Sequence, residues 1–285
     1  VGSEMCIRDS NHTIDKVTRN AAQVLTVAGR TDVPVYRGAH RPLVRPVETA
    51  EAIHGDSGME IHGFDLPEPE VAVQEGHAVR AIIDTIMAEE PGTVTLVPTG
   101  PLTNIALAAR LEPRIVERVR EVVLMGGAYG TGNWTASAEF NVVADPEAAH
   151  IVFNESWPVV MVGLDLTHQA LATPEVEKRF AALGTPVGDL VVGLFDAFRT
   201  NYKDNQGFDN PPVHDPCCIA YLIDPSVVKT VPVPVDVELS GALTAGRTVA
   251  DFRAPAPADC HTSVATELDA DRFWDLVVGA AENLG

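Results

Sequence analysis

Short apolar runs rich in β-branched residues alternate with helical patterns along most of this sequence, and that alternation leaves few architectures open. Runs at 33–36, 94–97, 121–125 and 158–164 read as buried strands. Between them, apolar residues recur at helical spacing. Val17, Ala21, Val24 and Ala28 share one face after Asn11-His12-Thr13, with Gly29 as the stop; Val71, Ala78, Ile82 and Ile86 share a face in a helix over 70–89. Further helices are expected over 103–110, 113–119, up to Phe153, and over 174–183, 187–205 and 217–223. The tail supplies strands near 228–238, 247–253 and 262–267, then a helix over 270–282. Strands alternating with helices predict an α/β fold with a mostly parallel open sheet flanked by helices. There is no repeat, linker or break in composition, so one domain is expected within 285 residues that are 46% hydrophobic.

Forty acids against 20 bases give a net charge of −20. With no basic patch, nucleic acid is excluded as a partner. No apolar run is long enough to span a bilayer and no secretory signal is visible, so no membrane partner is expected and a cytoplasmic protein is the default reading. The cysteines are Cys6, Cys217, Cys218 and Cys260, without a C-x-x-C pair. This spacing argues against a zinc site or a disulfide framework. Residues 1–10 carry no periodicity and join abruptly to the first helix; they read as a non-native N-terminal segment ahead of a domain over 11–285.

Polar residues concentrate at the ends of the strands, where open α/β sheets bind ligands. Between 133 and 150, Glu139 and Asn141 flank Phe140, a spacing that points both side chains the same way in an extended chain. An acceptor-only group beside an amide suits a neutral, hydroxyl-rich ligand, and Asn133 adds a second amide. Asp145-Pro146-Glu147 reads as a helix start, and a solvated loop capped by Asp145 explains the stretch equally well. Pro98-Thr99-Gly100 is a strand-to-helix turn. His54 lies in a polar loop; a lone loop histidine is either a proton donor or a surface residue. Asp165 and His168 follow a strand and serve either function or turn capping. Phe198, Tyr202 and Gln206 form a stripe that is core or a lid over a planar ligand. Trp134 is a base-stacking residue or a cover for the pocket rim. His214 and Asp215 precede Pro216, where helix capping by Asp215 competes with a pocket at the helix N-terminus.

Taken in order, these motifs form one set: Asn11, Thr18-Arg19-Asn20-Ala21, Pro34 to Ala39, His54-Gly55, Pro98 to Asn104, Met125-Gly126-Gly127, Glu139-Phe140-Asn141, Asp145 to Ala149 and His214-Asp215-Pro216. The set resembles the inosine–uridine preferring nucleoside hydrolases from Asn11 essentially to the C-terminus. The resemblance implies hydrolysis of the N-glycosidic bond of ribonucleosides, with one calcium ion (Ca2+) as cofactor and a homodimer or homotetramer as the assembly. By motif, Asp215 and the Thr99 carbonyl become metal ligands, both hard oxygen donors. Asp215 and His214 become catalytic, with His214 protonating the departing base. Met125, Asn133, Glu139 and Asn141 line the ribose pocket, Asn11 lies at its edge, and His54 and Tyr202 lie near the base. The family's N-terminal D-x-D-x-x-x-D-D signature is absent, since Asp9 is the sole aspartate before Asn11. The sequence therefore predicts a family fold lacking its first strand and an impaired or inactive chain. The alternative is a homologue that binds ribose or nucleoside without cleaving it. An unrelated α/β hydrolase such as a phosphatase would need a phosphate-binding glycine loop or a basic clamp, and neither is found.

Overall fold

A computed structural model of the chain describes residues 5–7, 12–48, 57–59 and 61–284. Asn11 and the His54 loop lie outside the described residues. The strands are β1 (Met5–Ile7), β2 (Val35–Arg37), β3 (Val73–His77), β4 (Val94–Leu96), β5 (Val119–Met125), β6 (Val159–Val162), β7 (Val228–Pro232), β8 (Val235–Val237), β9 (Thr248–Ala250) and β10 (Thr262–Leu268). The central sheet has the order β4-β5-β6-β10-β7, parallel except for β7, which runs antiparallel to β10 at one edge. A parallel sheet β1-β2-β3 and an antiparallel hairpin β8-β9 complete the strands.

Strand β5 shows why the central sheet reads as an unbroken apolar run. Val122 and Leu124 pack into one core while Val123 and Met125 pack into the other. Side chains alternate across the pleat, so a strand covered on both faces must be apolar at every position. One face carries Ile82 and Ile86 of the helix Ala78–Ala88, together with Phe153 and Trp157. The other carries Phe180, Phe195, Phe273 and Trp274, whose rings meet edge to face at 4.9–6.4 Å.

Several elements differ from the sequence reading, each for a local reason. The helix expected over 70–89 begins only at Ala78, because residues 73–77 pair with β2 and Gly76 takes φ 97°. The helix expected over 113–119 is a single 3-10 turn, Pro113–Ile115, and β5 already starts at Val119. Met5–Ile7, given no element from sequence, pairs with β2, and Cys6 packs against the main core. The parallel strands are divided between two sheets, since no ladder joins β1 to β4 among the described residues. The Cys6 carbonyl on β1 instead accepts from Asn104 Nδ2 at 3.3 Å, and Asn104 Oδ1 accepts from Ala39 N at 2.9 Å. Helix Ile14–Val27 ends before Gly29 at φ 63°, and the final helix, Ala270–Glu282, falls where its pattern put it.

Asp145 ties distant parts of this frame together. It caps the helix Pro146–Asn154 through Ala148 N at 3.2 Å, as the Asp-Pro-Glu motif predicts. Its other oxygen accepts from Leu43 N at 3.0 Å and Thr103 Oγ1 at 2.6 Å. The residue is fully buried, so its removal strands these donors without water. Asp145→Ala is expected to lower the unfolding free energy by about 3 kcal/mol, seen as an earlier urea midpoint at unchanged slope. Asp145→Asn should lose less; a midpoint unmoved by the alanine would remove this clamp from the account.

Candidate functional site

The site is built at the C-terminal end of β5. Gly127 takes φ 77°, and a Cβ there would come within 2.8 Å of Met161 Sδ and Thr248 Oγ1. Only glycine allows the chain to turn so tightly against β6 and β9. The turn aims Gly127 N at Glu139 Oε2, 2.9 Å away. Glu139 also accepts from Asn141 N at 2.8 Å and Val142 N at 3.1 Å. It is the N-cap of a short helix, Phe140–Ala144, which the sequence reading took as extended chain. Glu139 and Asn141 do converge, but through cap geometry rather than strand alternation.

Asn141 is fixed in turn. Its Nδ2 donates to the Met125 carbonyl at 3.0 Å and to the Thr99 carbonyl at 3.3 Å, and lies 3.4 Å from Met125 Sδ. Asn133 Oδ1 accepts from Phe140 N at 2.9 Å. Thus Thr99, Met125, Asn133, Glu139 and Asn141, drawn from three stretches of sequence, form one hydrogen-bonded unit. Trp134 sits at its rim, with Nε1 donating to Glu48 at 2.7 Å and its ring edge-on to Phe140 at 5.0 Å.

A second group comes from the helices Pro186–Gln206 and Pro216–Ile223 and the turn after β6. His214 lies between two hydroxyls, Thr167 Oγ1 at 2.7 Å from Nδ1 and Tyr202 OH at 2.9 Å from Nε2. Phe208 and His168 continue this aromatic wall, at 6.2 Å from Tyr202 and 6.0 Å from His214 respectively. His168 Nε2 is buried without a hydrogen-bond partner. Asp165 is a clasp, accepting from Tyr129 N and Gly130 N at 2.8 and 3.0 Å. Asp215 begins the helix Pro216–Ile223 but makes no capping bond. Capping therefore does not explain it.

Electrostatics joins the two groups. The Asp215 side chain is open to solvent by surface area, yet protein surrounds it. Desolvation, and then the charge of Glu139, hold its carboxyl above the usual carboxylate range. Tyr202 is raised first by burial and then by Asp215 and Glu139. Two surface recesses of about 480 Å³ each lie elsewhere. Every arginine in their walls is paired, as Arg80–Asp84, Arg114–Glu112 and Arg179–Asp275, and the polar groups near Asp215 are the better candidate. Thr167 was not marked out by any motif: its partner is 47 residues away.

Glu139 carries a pH signature. Burial outweighs its three backbone donors and raises its carboxyl from 4.5 to about 7. The folded state thus binds the proton more tightly than the unfolded chain. Its stabilisation is full below the unfolded value and is lost as pH rises through the folded one. The melting temperature of the unliganded protein is expected to fall between about pH 5 and about pH 8. Glu139→Gln should flatten that slope; an equal slope in both proteins would assign it to other groups.

With the geometry in place, comparison with known proteins is direct. Residues 6–275 match the family described as inosine-uridine preferring nucleoside hydrolase. The chain is 56% identical over 275 residues to the protein of that name from Crithidia fasciculata, covering 96% of this chain and 87% of that one. It is 45% identical over 268 residues to the pyrimidine-specific ribonucleoside hydrolase RihB of Escherichia coli O157:H7, covering 94% and 84%. The structure of a purine-preferring ribonucleoside hydrolase from Gardnerella vaginalis superposes with a TM-score of 0.90 at 31% identity, covering all of this chain and 90% of the other. Agreement of sequence, fold and family match establishes that this chain is a member of the inosine–uridine preferring nucleoside hydrolase family.

Proposed function

We propose that the protein hydrolyses the N-glycosidic bond of ribonucleosides of the uridine and inosine class, releasing ribose and the free base. The observation that carries this reading is the pairing of a hydroxyl-binding unit (Asn133, Glu139, Asn141) with an uncapped carboxylate, Asp215, next to a hydroxyl-held His214. Cleaving such a bond builds positive charge on the ribose ring. Amide and carboxylate groups that are already oriented stabilise that charge without reorganising. Their fixed geometry also positions the sugar. The departing base carries the bonding electron pair and leaves more readily when protonated, the role assigned to His214 with Tyr202 at its Nε2. Asp215 and His214 are the catalytic pair in this reading, and Tyr202 lies near the base.

Asp215 and the Thr99 carbonyl would hold the calcium ion. They fit it in kind, as hard oxygen donors, and the Asp215 carboxylate has no capping bond to give up. Calcium takes 6–8 oxygens, and no cluster of three or more His, Cys, Asp or Glu side chains suited to a metal exists among the described residues. Ribose hydroxyls and water would supply further oxygens. When bound, the ion lowers the pKa of the attacking water. The small protein donor set also favours a second reading, a homologue that binds ribose or nucleoside without cleaving it. The same proposal places the protein in the cytoplasm as a homodimer or homotetramer.

Two experiments test the enzyme. In protein carrying the family's D-x-D-x-x-x-D-D signature ahead of Asn11, ribose release from uridine and inosine should be measurable, decline slowly in EDTA and return with calcium. Ribose binding without release would give the second reading. His214→Ala is expected to slow inosine and uridine by about 10²–10⁴-fold. p-Nitrophenyl riboside, whose leaving group needs no proton, should be affected far less. Equal losses would take the acid role away from His214.

A further inference from the structure

We propose that Thr167 is a positioning residue, whose hydroxyl sets the tautomer and ring plane of His214 so that Nε2 is the nitrogen presented to Tyr202 and the base. This rests on the nucleoside-hydrolase reading for its purpose, but its geometry stands independently. Thr167 is fully buried and ends a short helix, Leu164–Thr167, directly after β6. That helix is locked to the glycine turn of the ribose side. Leu164 N donates to the Gly127 carbonyl at 2.9 Å, and a Cβ on Gly163 would come within 2.7 Å of the same oxygen.

The backbone leading into His214 is docked on the same segment. Ala172 N donates to the Pro211 carbonyl and Val213 N to the Ala170 carbonyl, both at 2.9 Å, with a bridge between Leu171 and Pro212. Both the main chain approaching His214 and its ring are therefore referred to residues 163–172. The Thr167 contact, at 2.7 Å, fixes the remaining freedom of the ring.

Hydrogen-bond chemistry then selects a tautomer. Neutral imidazole has one N–H and one lone pair. Both neighbours are hydroxyls, able to donate or accept. Nδ1 lies 2.7 Å from Thr167 Oγ1 and Nε2 2.9 Å from Tyr202 OH. In the neutral ring a phenol, being more acidic, is the better donor to a lone pair, which leaves Nδ1–H on Thr167 Oγ1. As the acid, His214 is the imidazolium that gives its Nε2 proton to the base and keeps Nδ1–H on Thr167. Without the threonine oxygen, Nδ1–H loses the acceptor that Thr167 supplies, which favours a change of tautomer or a rotated ring. The principle is the one by which a buried acceptor holds a catalytic histidine in register for its reaction.

The test uses the chain labelled with ¹⁵N in its histidine rings, with His214 signals identified by their loss in His214→Gln. Long-range proton–nitrogen spectra in alkaline buffer should show the Nδ1–H tautomer in the wild type and in Thr167→Ser. Thr167→Val should show the Nε2–H tautomer or a mixture. If the valine variant is unfolded by circular dichroism, Thr167→Ala takes its place. A wild-type tautomer in the variant lacking the hydroxyl, or an altered one in Thr167→Ser, overturns the proposal.

This readout needs no turnover, so an inactive protein counts against the hydrolase reading alone. In active protein, loss of the hydroxyl should lower kcat on inosine and uridine about 10- to 100-fold, within the range of a misplaced general acid. KM and turnover of p-nitrophenyl riboside should change by less than about twofold in the same variant. An equal loss on all substrates would mark Thr167 as merely structural and overturn its positioning role.

Discussion

The buried carboxylate of Glu139 is the interaction on which the polar unit after β5 depends. It holds three backbone N–H groups from two separate elements, the glycine turn after β5 and the first turn of the helix Phe140–Ala144. A carboxylate is suited to this because it accepts at both oxygens and donates at neither. Once those donors are gathered, Asn141 is brought under the Met125 and Thr99 carbonyls. The unit is therefore oriented before any ligand arrives, which is what electrostatic stabilisation of a charged transition state requires. The cost appears in Glu139 itself, whose charge is disfavoured by burial despite those hydrogen bonds.

The larger elements were legible because their periodicity follows from what covers them. β5 is apolar throughout because both its faces are packed, and the final helix is amphipathic because only one of its faces is. Elements that exist through pairing alone were not legible. Residues 73–77 are exposed along their length and continue into a helix, so their pattern belongs to the helix; their pairing with β2 makes them a strand. Met5–Ile7 gains its structure in the same way. The short helix after Glu139 is set by its cap, and five residues are too few to show a period.

At the site, residue identities were easier to read than their reasons. The ordered motifs named Thr99, Met125, Asn133, Glu139 and Asn141, which the structure joins in one hydrogen-bonded unit, yet the supposed strand alternation between Glu139 and Asn141 was not the cause. For Asp215, helix capping competed with a pocket at the helix N-terminus, and the structure gives its side chain no capping bond. Asp165 moved the opposite way, to a clasp for the Tyr129–Gly130 backbone. Thr167 had no sequence signal at all. Its importance is a relation between two distant residues, and single-sequence patterns carry no information about which side chains meet.

These assignments bear on how stability and function are divided. Burial raises the cost of ionising Asp215, and the charge of Glu139 raises it further. Both carboxyls thus sit in surroundings that oppose their charge, while the cores above and below the sheet are closed and apolar. Anything that binds the folded site and compensates that charge stabilises the folded chain by mass action, since the unfolded chain offers no such site. Binding of a cation near Asp215 and Glu139 is therefore the kind of event that would relieve the cost of their ionisation. Asp145 is the contrasting case: its carboxylate accepts from three donors, Leu43 N, Thr103 Oγ1 and Ala148 N, so its burial is offset by hydrogen bonds within the frame.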